Sequence, residues 1–160
     1  MIGVVLLAIC ISISAVSADD DWSFSFSSSE NTDGGSINFD NGLLKIQDLE
    51  FNIPEGYEEN ESAQKLAEDA ADIEDAKYSA CQFIKDGKEI VITVFFTDAG
   101  DFENLTATEE GAVEKTIAGI NGIYSENSYG DNTPTFKYLK DGKIVMINAP
   151  DDDTIASVIK

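Results

Sequence analysis

One stretch decides the fold: residues 78–96, YSACQFIKDGKEIVITVFF, in which two apolar runs flank a short polar turn. The turn, Lys85-Asp-Gly-Lys88, carries an Asp-Gly pair, which tight hairpins favour because both residues tolerate a positive φ. Residues 90–96 are almost continuously apolar, a pattern that is typical of a strand covered on both faces. The stretch therefore predicts an antiparallel hairpin that supplies a central strand of a sheet.

The same turn recurs downstream as Lys140-Asp-Gly-Lys143, between two further apolar runs. This repetition has two open explanations: a degenerate duplication of an α-β-β unit, or convergence on favourable turn chemistry. Apolar runs predict further strands at residues 22–28, 37–39, 43–46, 51–53, 123–124, 136–139 and 144–147. The Asn41-Gly42 pair makes a hairpin of the second and third of these runs.

Helical spacing of apolar residues predicts three helices. The first runs from about Glu61 to Glu74. The second opens at the capping box Thr106-Ala-Thr-Glu109 and continues to Gly119 or Gly122. Its inward residues are expected to be Val113, Ile117 and Ile120. A short third helix follows Asp151. We therefore expect an α+β fold: an antiparallel β-sheet built from hairpins, with two longer helices and a short C-terminal helix packed on one face.

The N-terminal segment indicates export. Residues 2–18 carry no charge and end in the small-residue site Val16-Ser17-Ala18. This pattern predicts a signal peptide over residues 1–18 and a single acidic domain over residues 19–160, secreted or resident in the cell envelope. Two alternatives stay open: the segment is retained as a membrane anchor, or Cys10 is lipidated.

Charge and composition exclude several classes of function. The formal net charge is −21, lysines supply all ten basic residues, and histidine is absent. A surface this acidic repels phosphate backbones, so we expect no nucleic-acid partner. Without histidine, Ser-His-Asp and Cys-His catalysis cannot be built. The usual zinc sites are also excluded, because Cys81 is the one cysteine that follows the signal segment.

Acidic side chains are abundant in the chain, and several of them form clusters in the sequence. Asp151-Asp-Asp153 precedes the last helix, where carboxylates stabilise the positive end of the helix dipole, and calcium binding is the alternative. A second cluster lies on one loop and helix start, with a spacing that does not fit an EF-hand: Asp98, Asp101, Glu103 and Glu109. The sequence nominates no carboxylate pair for a glycosidase. We assign no catalytic, cofactor-binding or metal-binding residue and expect no enzyme.

Three other features have a structural and a functional interpretation. Cys81 lies in a predicted strand and is expected to be a buried small hydrophobe; a reactive or intermolecular thiol is the alternative. Trp22, Phe24 and Phe26 share one face of the first strand, which is expected to pack in the core; at a sheet edge, that strand would pair with a partner. Two N-glycosylation sequons, Asn60-Glu-Ser62 and Asn104-Leu-Thr106, are expected to be exposed.

The chain resembles uncharacterised small exported proteins of methanogenic archaea. The resemblance lies in Phe51-Asn-Ile-Pro-Glu-Gly-Tyr57, in Lys85-Asp-Gly-Lys88 and in Ile147-Asn-Ala-Pro-Asp-Asp-Asp-Thr-Ile155. The pattern of the last segment, a strand, a polar turn and a short terminal helix, is also similar in architecture to PsbP-like and LolA-like domains. The resemblance implies a location and an architecture, and it transfers no functional residue.

These observations favour an exported, non-catalytic binding or cell-envelope-associated domain. Its expected partner is an envelope or extracellular protein or glycan, and it would contact a membrane only if residues 2–18 are retained. The alternatives are a carboxylate-dependent hydrolase, which needs a carboxyl of raised pKa in a cleft, and a calcium-stabilised structural module.

Overall fold

The computed structural model describes residues 37–60, 76–98, 100–105, 107, 111–126 and 133–160. These residues form ten strands and one helix: β1 (Ile37–Asp40), β2 (Leu43–Ile46), β3 (Leu49–Asn52), β4 (Glu58–Glu59), β5 (Ala76–Lys85), β6 (Lys88–Thr97), β7 (Val113–Ile117), β8 (Ile120–Ser125), β9 (Thr135–Lys140), β10 (Lys143–Asn148) and α1 (Asp152–Val158). The predicted signal peptide (residues 1–18), the strand over residues 22–28 and the first predicted helix (Glu61–Glu74) lie outside the described residues.

Seven strands form one antiparallel sheet in the order β4-β5-β6-β10-β9-β8-β7. The predicted hairpins β5–β6 and β9–β10 are both confirmed. Strand β6 lies between β5 and β10, which confirms that it is a central strand. Its alternate residues are 0% exposed: Ile90, Ile92 and Val94.

A second, three-stranded sheet (β1-β2-β3) and α1 cover one face of the large sheet. One hydrophobic cluster joins them, and its members include Leu44 and Phe51 of the small sheet, Ile92 and Phe136 of the large sheet, and Ile155 of α1. We call the side of the large sheet that carries Ile92 and Phe136 the core face, and the opposite side the outer face.

The predicted C-terminal helix is confirmed. Asp151 caps it, because its side chain accepts hydrogen bonds from the Thr154 N–H at 2.8 Å and from the Thr154 hydroxyl at 2.6 Å. Both hydrogen bonds lower the pKa of the Asp151 carboxyl below its usual range. Val158 is buried, and Ile159 leaves the helix to form an isolated bridge with Phe51.

The prediction of an α+β fold with two longer helices is wrong. Over the described residues the protein is mostly β-sheet, and α1 is its one helix. The residues assigned to the second helix form the hairpin β7–β8 instead. Val113 and Ile117 fit a helical stripe, but they also share one face of a strand, and Ile117 pairs with Ile120 across the turn. The turn residues Ala118 and Gly119 have φ of 50° and 80°, and alanine gives no sequence signal for that conformation.

Candidate binding groove beside strand β7

A groove of about 570 Å³ lies on the outer face, at the end of the sheet formed by β7, β8 and β9. The ladder places Glu114 opposite Ile123 and Thr116 opposite Asn121, so these four side chains share that face. Leu139 of β9 also lines the groove. Its volume falls in the range of ordinary ligand sites, but its lining is more polar than theirs, because six of its ten residues are polar or charged.

The segment over residues 100–105 forms the opposite wall, through Glu103, Asn104 and Leu105. The turn between β9 and β10 holds this segment, since the Phe102 N–H donates a hydrogen bond to the Gly142 carbonyl at 2.8 Å. Gly142 is required here: its φ is 71°, and an added Cβ would lie 2.3 Å from the Asp101 carboxylate. One backbone hydrogen bond therefore holds this wall of the groove to the β9–β10 turn.

Strand β7 forms the rim of the groove and is the last strand of the sheet. Val113 is 54% exposed, and it is the one large apolar side chain that is exposed among the described residues. Glu114 and Thr116 are exposed as well. A strand edge with an exposed apolar side chain is unusual, because proteins normally shield such edges.

Lys115 fixes β7 from the core face. Its Nζ lies 3.6 Å from the centroid of the Tyr124 ring and forms an ion pair with Asp152 at the start of α1. Lys115 also lowers the pKa of Asp152. Burial, followed by the hydrogen bond and the charge of Asp152, raises the pKa of Tyr124 to about 12. Lys115 therefore has a structural role, and its charge lies on the core face, away from the groove.

The carboxylates of Asp151-Asp-Asp153 lie beside a second depression of about 480 Å³, together with Tyr124 and Glu126. Asp151 caps α1 and Asp152 pairs with Lys115, so two of the three carboxylates have structural partners. No group of three or more His, Cys, Asp or Glu side chains could hold a metal ion in the part of the chain that the structure describes.

The second predicted acidic cluster is dispersed. Asp98 forms an ion pair with Lys77 at 2.8 Å, Asp101 lies against Gly142, and Glu103 lines the groove. Glu109 lies outside the described residues. Of the described members of this cluster, only Glu103 lines the candidate site, which Glu114 of β7 also lines.

Among the described residues, four carboxyls have a pKa below the usual range: Asp48, Glu50, Asp151 and Asp152. The strongest shift is that of Glu50, whose pKa of about 2 reflects hydrogen bonds from Lys160 and then Lys45. A hydrolase needs a general acid whose pKa is raised, so none of these four groups fits that role.

The remaining candidates have separate positions. Cys81 is 2% exposed and belongs to the core cluster, as predicted for a small hydrophobe. The side-chain amide of Asn60 donates a hydrogen bond to the side-chain oxygen of Gln82 at 2.8 Å, so the asparagine of this sequon is held against β5. Asn104 is exposed and lines the groove. Trp22 and its aromatic neighbours lie outside the described residues.

Sequence reasoning did not identify β7 as part of a site, because it assigned Val113 to the buried face of a helix. The available signal was the β-branched composition of Val113, Thr116 and Ile117, which favours a strand, whereas Lys115 breaks the apolar alternation.

Comparison with known protein families, curated proteins and solved structures gave no match. The resemblance to archaeal exported proteins therefore stays a prediction. Among the described residues, no helix is long and apolar enough to cross a membrane.

Proposed function

We propose that this chain is an exported, non-catalytic binding domain and that the groove beside β7 binds its envelope or extracellular partner. The proposal rests on one observation: a groove lined by the segment 100–105 and the strands β7 to β9 lies beside the exposed edge of β7. Export is supported by the uncharged segment over residues 2–18, which ends in small residues.

The chemistry of the groove favours binding over catalysis. Its lining contains no histidine, arginine or cysteine, and its lysine, Lys115, pairs with Asp152 on the core face. Leu105 on the wall, with Ile123 and Leu139 of the sheet, supplies apolar contact area, while Glu114, Thr116 and Asn121 can fix an orientation.

A mixed array of linear peptides and glycans tests the proposal with the full, fluorescently labelled chain. We expect a subset of the array to bind and Leu105→Glu to weaken that binding by about tenfold, because it places a charge on the apolar wall. Asn52→Glu is the matched control, since it adds the same charge at an exposed position of the small sheet. If no array member binds, or if Leu105→Glu binds as well as the wild type, the groove is not the binding surface.

A further inference from the structure

Strand β7 offers a backbone edge beside the groove to which no strand of the described residues is paired. It is the terminal strand of the sheet, and no described strand pairs with its outer side. The opposite end of the sheet is different, because its terminal strand β4 consists of only Glu58 and Glu59. Very short edge strands are a common protection against unwanted pairing; β7 has five residues, and its protection is limited to the charges of Glu114 and Lys115.

The outward hydrogen-bonding groups of β7 follow from the geometry of its hairpin. Ile117 and Ile120 flank a two-residue turn, so they form the closing hydrogen-bonded pair, and bonded pairs recur at every second residue. Val113, Lys115 and Ile117 therefore direct their backbone groups toward β8. Glu114 and Thr116 direct their N–H and C=O groups to the outer edge, ready to pair with an added strand.

The side chains of the same two residues point to the groove. Glu114 and Thr116 lie on the outer face, opposite Ile123 and Asn121, and both are exposed. A residue paired with Glu114 would place its own side chain on that face, near Glu114 and over the groove that Glu103 also lines. A residue paired with Val113 would lie on the core face, against an apolar side chain that is 54% exposed.

These positions define the chemistry of the occupant. A cationic side chain opposite Glu114 forms an opposite-charge cross-strand pair, and an apolar side chain opposite Val113 covers its exposed surface. A second copy of the chain is disfavoured, because each copy carries a formal charge of −21. The described strands pair in antiparallel fashion throughout, and antiparallel pairing is the more stable mode per residue.

We infer that β7 accepts an extended peptide segment of a partner protein as an additional antiparallel strand. The segment carries a lysine or arginine opposite Glu114, followed immediately along its chain by an apolar residue opposite Val113. The inference rests on the proposed binding function and specifies its ligand class. The recognition mode is strand addition, in which main-chain hydrogen bonds give affinity and alternate side chains give specificity.

The test uses the full chain and the acetylated, amidated peptide Ser-Thr-Thr-Lys-Val-Thr-Ser. Amide exchange followed by NMR should show new protection at Glu114 and Thr116 on peptide binding, with Lys115 already protected in the free protein. A peptide with Lys and Val exchanged puts each side chain on the wrong face, and we expect it to bind about threefold to tenfold more weakly. Methylation of the peptide backbone nitrogens that face β7 should abolish binding.

Reversing the charge at Glu114 provides a control that distinguishes a loss of peptide recognition from a loss of folding. Glu114→Lys should weaken binding of the lysine peptide and strengthen binding of the same peptide with Glu in place of Lys, whereas a merely misfolded variant would lose both. If glycans of the array bind in the groove and the amides of Glu114 and Thr116 gain no protection from exchange, strand addition is overturned. The proposed binding function would still hold in that case. A dimer of the free chain in sedimentation that pairs through β7 would also overturn it, and no binding at all would overturn both proposals.

Discussion

Two buried tyrosines of the core face have opposite hydrogen-bonding environments. Tyr138 is 1% exposed, and its hydroxyl has no hydrogen-bond partner among the described residues. Burial raises its pKa above the ordinary value for a tyrosine. Tyr124 is 6% exposed, but its hydroxyl bonds to Asp152. The same chemical change, loss of one hydroxyl, should therefore have opposite effects on stability at the two positions.

We expect Tyr138→Phe to increase the free energy of unfolding by about 1 kcal/mol, because it removes an unsatisfied buried hydroxyl. Tyr124→Phe should decrease it by about 1 kcal/mol, because it deprives Asp152 of a donor. Urea unfolding of both variants, followed by circular dichroism, measures the difference. Destabilisation by Tyr138→Phe would mean that its hydroxyl has a partner in solution.

At the scale of the element, the success of sequence reasoning depended on turn chemistry. Three hairpins were predicted because Asn41, Asp86 and Asp141 each precede a glycine, and these residues have φ of 50°, 51° and 48°. Two further turns have a positive φ at a residue that is neither Asn nor Asp: Gln47, with φ of 57°, and Ala118 in the β7–β8 turn, with φ of 50°. Alanine is a strong helix former, so local propensity favoured the wrong element, and pairing within the sheet overrode it.

The candidate groove could not be predicted for the same reason. Its rim depends on β7 being a strand, and its other wall depends on a loop that contacts Gly142 about forty residues away along the chain. The acidic residues that sequence analysis singled out were numerous, and nothing local distinguished Glu103 from Asp98 or Asp101. Only the sheet register brings Glu114 and Ile123 to the same surface as Glu103.

Ala118→Asn tests the hairpin directly. Asparagine tolerates a positive φ better than alanine, so we expect this exposed substitution to increase the free energy of unfolding by about 0.5–1 kcal/mol. In a helix the same substitution would be destabilising, because asparagine is a poorer helix former than alanine. The sign of the change in chemical denaturation therefore distinguishes the two structures. Asp86→Ala in the β5–β6 turn is the reciprocal variant and should be destabilising.

The whole molecule is dominated by unbalanced negative charge. Ten lysines face thirty-one acidic residues, so most carboxylates lack a cationic partner at any one time. In the described ion pairs of Lys45, Lys77 and Lys160, the lysine side chain is between about a third and a half exposed. Exposed pairs contribute at most about 1 kcal/mol each, whereas repulsion acts on every carboxylate of the surface.

Added salt should therefore stabilise the protein. Sodium chloride shortens the Debye length from about 30 Å at 0.01 M to about 10 Å at 0.1 M, which screens repulsion between carboxylates more than it weakens the few ion pairs. We expect the melting temperature to rise over this interval, and calorimetry of the full chain measures it; a fall would mean that the ion pairs dominate.

Calcium chloride at matched ionic strength provides the comparison that separates screening from binding. An equal rise in both salts indicates screening alone, while a much larger rise in calcium that chelator reverses would identify a calcium-stabilised module, because only a ligand bound to the folded state stabilises beyond the screening effect.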